Sequence, residues 1–237
     1  MGHTPARHTV QAHSGGGLSS VGDHDNTRRW IRVGAFAGLA ASLAYPTLLL
    51  APMPLALTAT VACIFGVSLG LAAGGTYHFV GLHRRSVSLQ IGVGALAVAG
   101  VIVICMILIQ LAVNSTMRTI VMETQDVDMS GVASLMWKGI DAVQLAVDVV
   151  WDVFLCVGTL LIAWNFRFHP RYGILYAWPG ILIAFFLLAF NLITFPEPPA
   201  EAGIIDLGPV VGMWWFIVTL RLLASFKWAD AVLEERR

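Results

Sequence analysis

The sequence predicts an all-α integral membrane protein, a bundle of six transmembrane helices with the N-terminus and C-terminus both in the cytoplasm. Three observations predict it. Of 237 residues, 57% are hydrophobic and only 12% are charged, whereas an ordinary soluble domain is about one quarter charged. The apolar residues lie in six long runs, near 30–50, 55–79, 88–113, 138–164, 173–195 and 207–227. As helices, runs of this length suit a hydrocarbon layer about 30 Å thick. Six crossings also sort the basic residues: Arg7, Arg28, Arg29, Arg32, Arg84, Arg85, Arg167, Arg171, Arg221, Lys227, Arg236 and Arg237 fall on one side, and only Arg118 and Lys138 on the other. Basic residues favour the cytoplasmic side.

In chain order, residues 1–28 are rich in Gly, Ser, Thr and His without hydrophobic period, which predicts a disordered cytoplasmic tail. His3, His8 and His13 are five apart, so no two share a helix face and no metal site is expected. The transmembrane domain follows at 29–228. Its first run is too long for the apolar core of a cleaved leader and is expected to stay as the first helix. Pro52 and Pro54 make a tight connection to span two. Gly34 and Gly38 in span one, and Gly66, Gly70 and Gly74 in span two, form small-residue ridges. In lipid such ridges let helix backbones approach closely, and Gly70, in the middle of its ridge, is the expected tight point. Segment 114–137 is read as a long loop with a short interfacial helix and a turn at Ser130–Gly131. "FPEPPAEAGIIDLGP" joins spans five and six, and its four prolines prevent helix through much of it. Asp206, just before "LGP", is placed to cap span six. Residues 229–237 are expected to be a charged cytoplasmic tail.

Span four carries the chemistry. "DAVQLAVDVVWDVF" puts Asp148 and Asp152 in a run otherwise apolar enough for lipid, with Asp141 at its start. Trp137 and Trp164 are the expected interfacial anchors, about 40 Å apart along a helix, so the midplane falls near Val150 and Trp151. At about 100° per residue, Asp141, Asp148 and Asp152 fall within roughly 40° of one another, with Gln144 and Thr159 beside them. Such a stripe must face protein or water. One aspartate at the centre of a span costs about 2.5–3.5 kcal/mol on insertion scales. Two of them imply either a proton or cation site, with Gln144 and Asn191 as neighbouring polar ligands, or hydrogen-bonding glue between helices.

Other chemistries find no support in the sequence. Net charge is zero, which argues against a nucleic-acid partner. Cys63, Cys105 and Cys156 have no metal or redox spacing and read as packing residues. His78, His83 and His169 lie at span ends beside the basic residues, away from the aspartates. No catalytic residue, cofactor or metal site is assigned. The expected partners are the lipid bilayer and either a second copy or another membrane protein. From Asp148 to Leu223, "WDVFLCVGTLL" and "NLITFPEPPAEAGIIDLGPVVGMWW" resemble bacterial multi-pass membrane proteins of unassigned function. The resemblance implies a multi-pass protein of the plasma (inner) membrane, with Asp152, Asn191, Pro196, Asp206 and Trp214 in one structural design. The expected function is a transporter or channel-like protein for protons, cations or a small solute. The alternatives are a scaffold whose polar stripe holds the bundle or a partner helix, and a membrane-embedded enzyme.

Overall fold

The computed structural model describes residues 17–123 and 127–236. Among them the chain forms seven helices and no strand: α1 (Gly17–Leu50), α2 (Leu55–Gly81), α3 (Val87–Glu123), α4 (Val127–Phe166), α5 (Ile174–Thr194), α6 (Gly208–Leu223) and α7 (Phe226–Glu235). Helices α1 to α5 are long and apolar enough to cross a membrane. Helices α6 and α7 meet at a bend of 52° and supply a sixth span if the pair counts as one. Alone, α6 has 16 residues, about 24 Å, which is short of the hydrocarbon thickness.

Each helix packs on the next in sequence, and α6 returns against α1, so the six close into a ring. The termini of the described chain meet at one end, where α7 leans on α1. Arg28 Nε lies 2.7 Å from Asp230, and Arg32 lies 3.3 Å from the same carboxylate. Arg236 donates to the Leu82 carbonyl, and Arg221 to that of Arg171 at 2.8 Å. This is the basic end. The α5–α6 connection, with Asp206, lies at the far end.

Three sequence expectations change. Residues 17–28, expected in a disordered tail, belong to α1, and Thr27 is already buried. Residues 1–16, with the three tail histidines, lie outside the described residues. The expected loop at 114–137 is largely helix, because α3 runs on to Glu123 and α4 starts at Val127. No proline interrupts that segment, and a lone Gly131 costs a helix only about 1 kcal/mol. Ser130 and Gly131 are therefore helical, with no turn between them. Last, the expected sixth run is broken: α6 stops at Leu223, and most of the expected C-terminal tail is α7. Ser225 marks the bend: its hydroxyl donates to the Arg221 carbonyl at 2.7 Å and accepts from Arg171 Nε at 3.3 Å. Ala229 and Leu233 form the buried face of α7.

The glycines divide unevenly. A methyl group added at Gly34 would strike the Cα of Gly75 on α2, and one at Gly66 would strike the Gly100 carbonyl on α3. At Gly38 it would come within 2.6 Å of the Thr219 hydroxyl on α6, and at Gly74 within 3.3 Å of the Trp30 ring. Gly70 is not the tight point: its nearest neighbour would be Ala97 Cα at 3.9 Å, an ordinary contact. The crossings sit where glycine faces glycine on another helix, which a ridge on one helix alone does not reveal. Tryptophans fasten α6 on its other side. Trp214 Nε1 donates to the Tyr176 carbonyl on α5, and Trp215 Nε1 to Thr159 Oγ1 on α4, both at 3.0 Å.

Candidate functional site

Helix α4 turns part of its polar stripe into the ring. Asp152 is 6% exposed and Thr159 is fully buried, while Val143 and Val150 are exposed on the outer side. Asn191 of α5 meets Asp152: its Nδ2 donates to Asp152 Oδ2 at 2.9 Å and to the Leu187 carbonyl at 3.1 Å. Asp148, one turn earlier, is half-buried, and no hydrogen bond to its carboxylate is formed among the described residues. The two carboxylates lie within electrostatic range of each other and of Asp206. The Tyr45 phenol of α1 is in range of all three. No Lys or Arg among the described residues offsets the charge of either α4 aspartate.

Asp206 closes the cluster at the far end. Its Oδ1 accepts the Gly208 N–H at 2.8 Å, so it satisfies one of the free donors at the start of α6. It does so from one residue before the position next to the helix, which Leu207 occupies. A side chain at Gly208 would meet both the Asp206 carboxylate, at 3.2 Å, and the Tyr45 hydroxyl, at 3.5 Å. Tyr45 thus lies close to Asp206 and within electrostatic range of the α4 pair. Asp141 and Gln144 do not join them. Asp141 is exposed, and Gln144 is half-buried without a side-chain hydrogen bond among the described residues.

Neither Asp148 nor Asp152 lines the larger cavity among the described residues. That space, about 520 Å³, is apolar and lies between α1, α2, α4 and α6. Trp151, Leu155 and Tyr45 line it. Trp151 is 8% exposed, and its indole N–H has no acceptor among the described residues. Sequence reasoning used Trp151 only to mark the midplane. A second signal was present: tryptophan in a span favours the interface, and this one lies at mid-span.

A second, smaller space of about 80 Å³ lies at the basic end, lined by His83, Arg84, Ser86, Ser88, Asn165 and His169 among others. Ser86 donates to Asn165 Oδ1 at 2.6 Å, and Asn165 Nδ2 donates to Ser88 at 3.1 Å, which pins the start of α3 to the end of α4. His169 is not at the surface, as a span-end histidine beside arginines is expected to be. It is 2% exposed and packed among Phe79, Tyr172 and Trp228 with ring centroids 4.9–5.3 Å away. Its Nδ1 accepts the Arg171 N–H at 3.2 Å, so the neutral ring carries its proton on Nε2. Burial and then the charge of His83 push its pKa down to about 4; the Phe79 carbonyl pulls the other way, and Arg171 adds a smaller downward push.

Among the described residues no three His, Cys, Asp or Glu side chains gather as metal ligands. Cys63, Cys105 and Cys156 are free thiols. No protein-family model, curated protein or solved structure matches the chain.

Proposed function

We propose that the protein is a membrane transporter or channel-like protein in which Asp148 and Asp152 bind a proton or a cation. Asp152 carries this reading. Among the described residues its buried carboxylate receives one hydrogen bond, from a neutral amide, and no cation offsets its charge. A buried carboxylate has about four acceptor positions and is costly to leave unpaired. A proton or a bound cation completes such a site, and ionisable groups within spans commonly mark ion or proton paths. Asp206 and Tyr45 supply a polar approach from the far end as far as Asp148.

The orientation belongs to the same proposal. Both termini lie in the cytoplasm of a six-span protein, with the basic end inward. The ion pair of Arg28 with Asp230 supports an even number of passes, because it holds α7 against the start of α1. Cysteines placed at 24 and 232 should then react with a membrane-impermeant reagent only from the cytoplasm, and one at 200 only from outside. Labelling at 200 from the cytoplasm would rule this arrangement out.

One observation favours a scaffold instead: the Asp152–Asn191 bond joins α4 to α5 and would hold the bundle with no ion involved. Carbodiimide labelling separates the two. The reagent reacts with a carboxyl group that holds a proton in an apolar setting. A proton or cation site predicts an adduct on Asp148 or Asp152 by mass spectrometry, weakened by a competing cation and by rising pH. An adduct on neither residue, at any pH at which the protein stays folded, would favour the scaffold.

A further inference from the structure

We propose that the small polar space at the basic end binds the phosphate of an anionic membrane lipid, with Arg84 as its principal cation. The chain brings the parts together at two helix ends. The turn after α2 carries His83, Arg84, Arg85 and Ser86, α3 starts at Val87, and α4 ends at Phe166. The bond from Ser86 to Asn165 ties that turn to the end of α4. The space, about 80 Å³, is walled by this tie and by His83, Arg84 and Ser88 among others. It is far below the roughly 300–1,000 Å³ of drug-sized sites, so it admits one small group rather than a whole molecule.

The charge of that group follows from the walls. Among the described residues no Asp or Glu lines the space, whereas Arg84 does. Arg84 is exposed, and no carboxylate lies within ion-pair distance of it, nor of Arg85, Arg171 or Arg221 at the same end, among the described residues. The start of α3 adds to the positive field. Ser86 Oγ accepts the Leu89 N–H at 3.1 Å, which leaves the N–H groups of Val87 and Ser88 without an acceptor among the described residues. Free N–H groups at a helix start favour an anion. The rim supplies the rest of the ligand. Trp164 and Phe168 also line the space and are 48% and 62% exposed, and the Arg167 guanidinium lies over the Trp164 ring at 3.1 Å. Exposed aromatic rings at a span end sit at headgroup level. A phosphate tethered to acyl chains enters the space while the chains lie along these rings, from which free phosphate gains nothing. Basic pockets between membrane helices suit anionic headgroups, whereas a choline head would bring its own cation against Arg84.

Lipid titration of the purified, delipidated protein in detergent, read by native mass spectrometry, tests this. Phosphatidylglycerol and phosphatidylcholine of identical chains share the phosphate but differ in net charge. Wild type should take up one phosphatidylglycerol saturably and about tenfold more tightly than phosphatidylcholine. Arg84→Gln should weaken phosphatidylglycerol binding about tenfold and remove the preference. Arg85→Gln deletes the same charge one residue away, at a position that does not line the space, and should change the affinity about twofold at most. Both arginines are exposed, so both variants should fold. Losses of equal size in the two variants, or equal affinity of wild type for the two lipids, would overturn the site and leave diffuse attraction to a charged surface. Inorganic phosphate that displaces phosphatidylglycerol at equal concentration would overturn the lipid assignment and leave a site for the free anion. The assay involves no ion movement and no residue of the carboxylate group, so it can fail while the carboxylates still bind ions, and the reverse.

Discussion

His169 gives the most clearly signed effect at the scale of single residues. Its folded pKa is pushed down to about 4 from an ordinary value of 6.5. Between those values the unfolded chain binds a proton that the folded chain does not, so stability falls as pH falls. The contribution is complete above about pH 6.5 and is lost progressively down to about pH 4, up to about 3 kcal/mol. Urea or thermal melts of wild type across that window should show the decline, and His169→Phe should lack that part of it. Equal slopes for the two proteins would mean that the ring is already solvated or charged in the fold. The sequence made Asp152 and Asn191 legible as partners, because each is a polar residue inside an apolar run. It did not make the burial of His169 legible. "RFHPRYG" reads as a polar turn, and only packing against Phe79 of α2 and Trp228 of α7 encloses the ring.

For the elements, positions and ends fared differently. The first five apolar runs lie within the long helices, to within a residue at each end, because twenty or more apolar residues form a helix in lipid whatever their neighbours do, while the sixth is broken after Leu223. Helix ends in water depend on weaker signals, so α1, α3 and α4 extend beyond the lipid-length runs and α7 appears where a tail is expected. Close approach was legible as a pattern of glycines but not as partners. Gly34→Ala should destabilise the bundle by about 1–3 kcal/mol, since the obstacle is the Gly75 backbone and cannot rotate away. Gly70→Ala should be neutral or stabilising by about 0.5–1 kcal/mol, because Ala97 leaves room and alanine favours a helix. Thermal unfolding of the two variants in one detergent checks both. A larger loss at Gly70 than at Gly34 would contradict the packing described.

Across the whole molecule, the ring of six helices brings together residues that no sequence window joins. Tyr45 of α1, Asp148 and Asp152 of α4, Asn191 of α5 and Asp206 before α6 share one region. The cavity beside them takes walls from four helices. Periodicity predicts which face of α4 is polar, but not which helices will stand opposite it, because the ring order is set by packing far apart in sequence. Of the polar residues the sequence grouped with Asp152, Asn191 reaches it, whereas Gln144 and Asp141 remain outside.

Ion movement through purified protein tests the carboxylate site most directly. Wild type and the Asp148→Asn, Asp152→Asn double variant would be reconstituted in liposomes, with a proton gradient or a gradient of Na⁺ or K⁺, and flux followed with indicator dyes. Asparagine keeps the size of aspartate and can still pair with Asn191, so the double variant should fold and insert. A proton or cation site predicts flux above empty liposomes in wild type, for at least one of these ions, and none in the double variant. Flux that survives the double substitution, or a well-folded wild type that moves none of these ions, would contradict it.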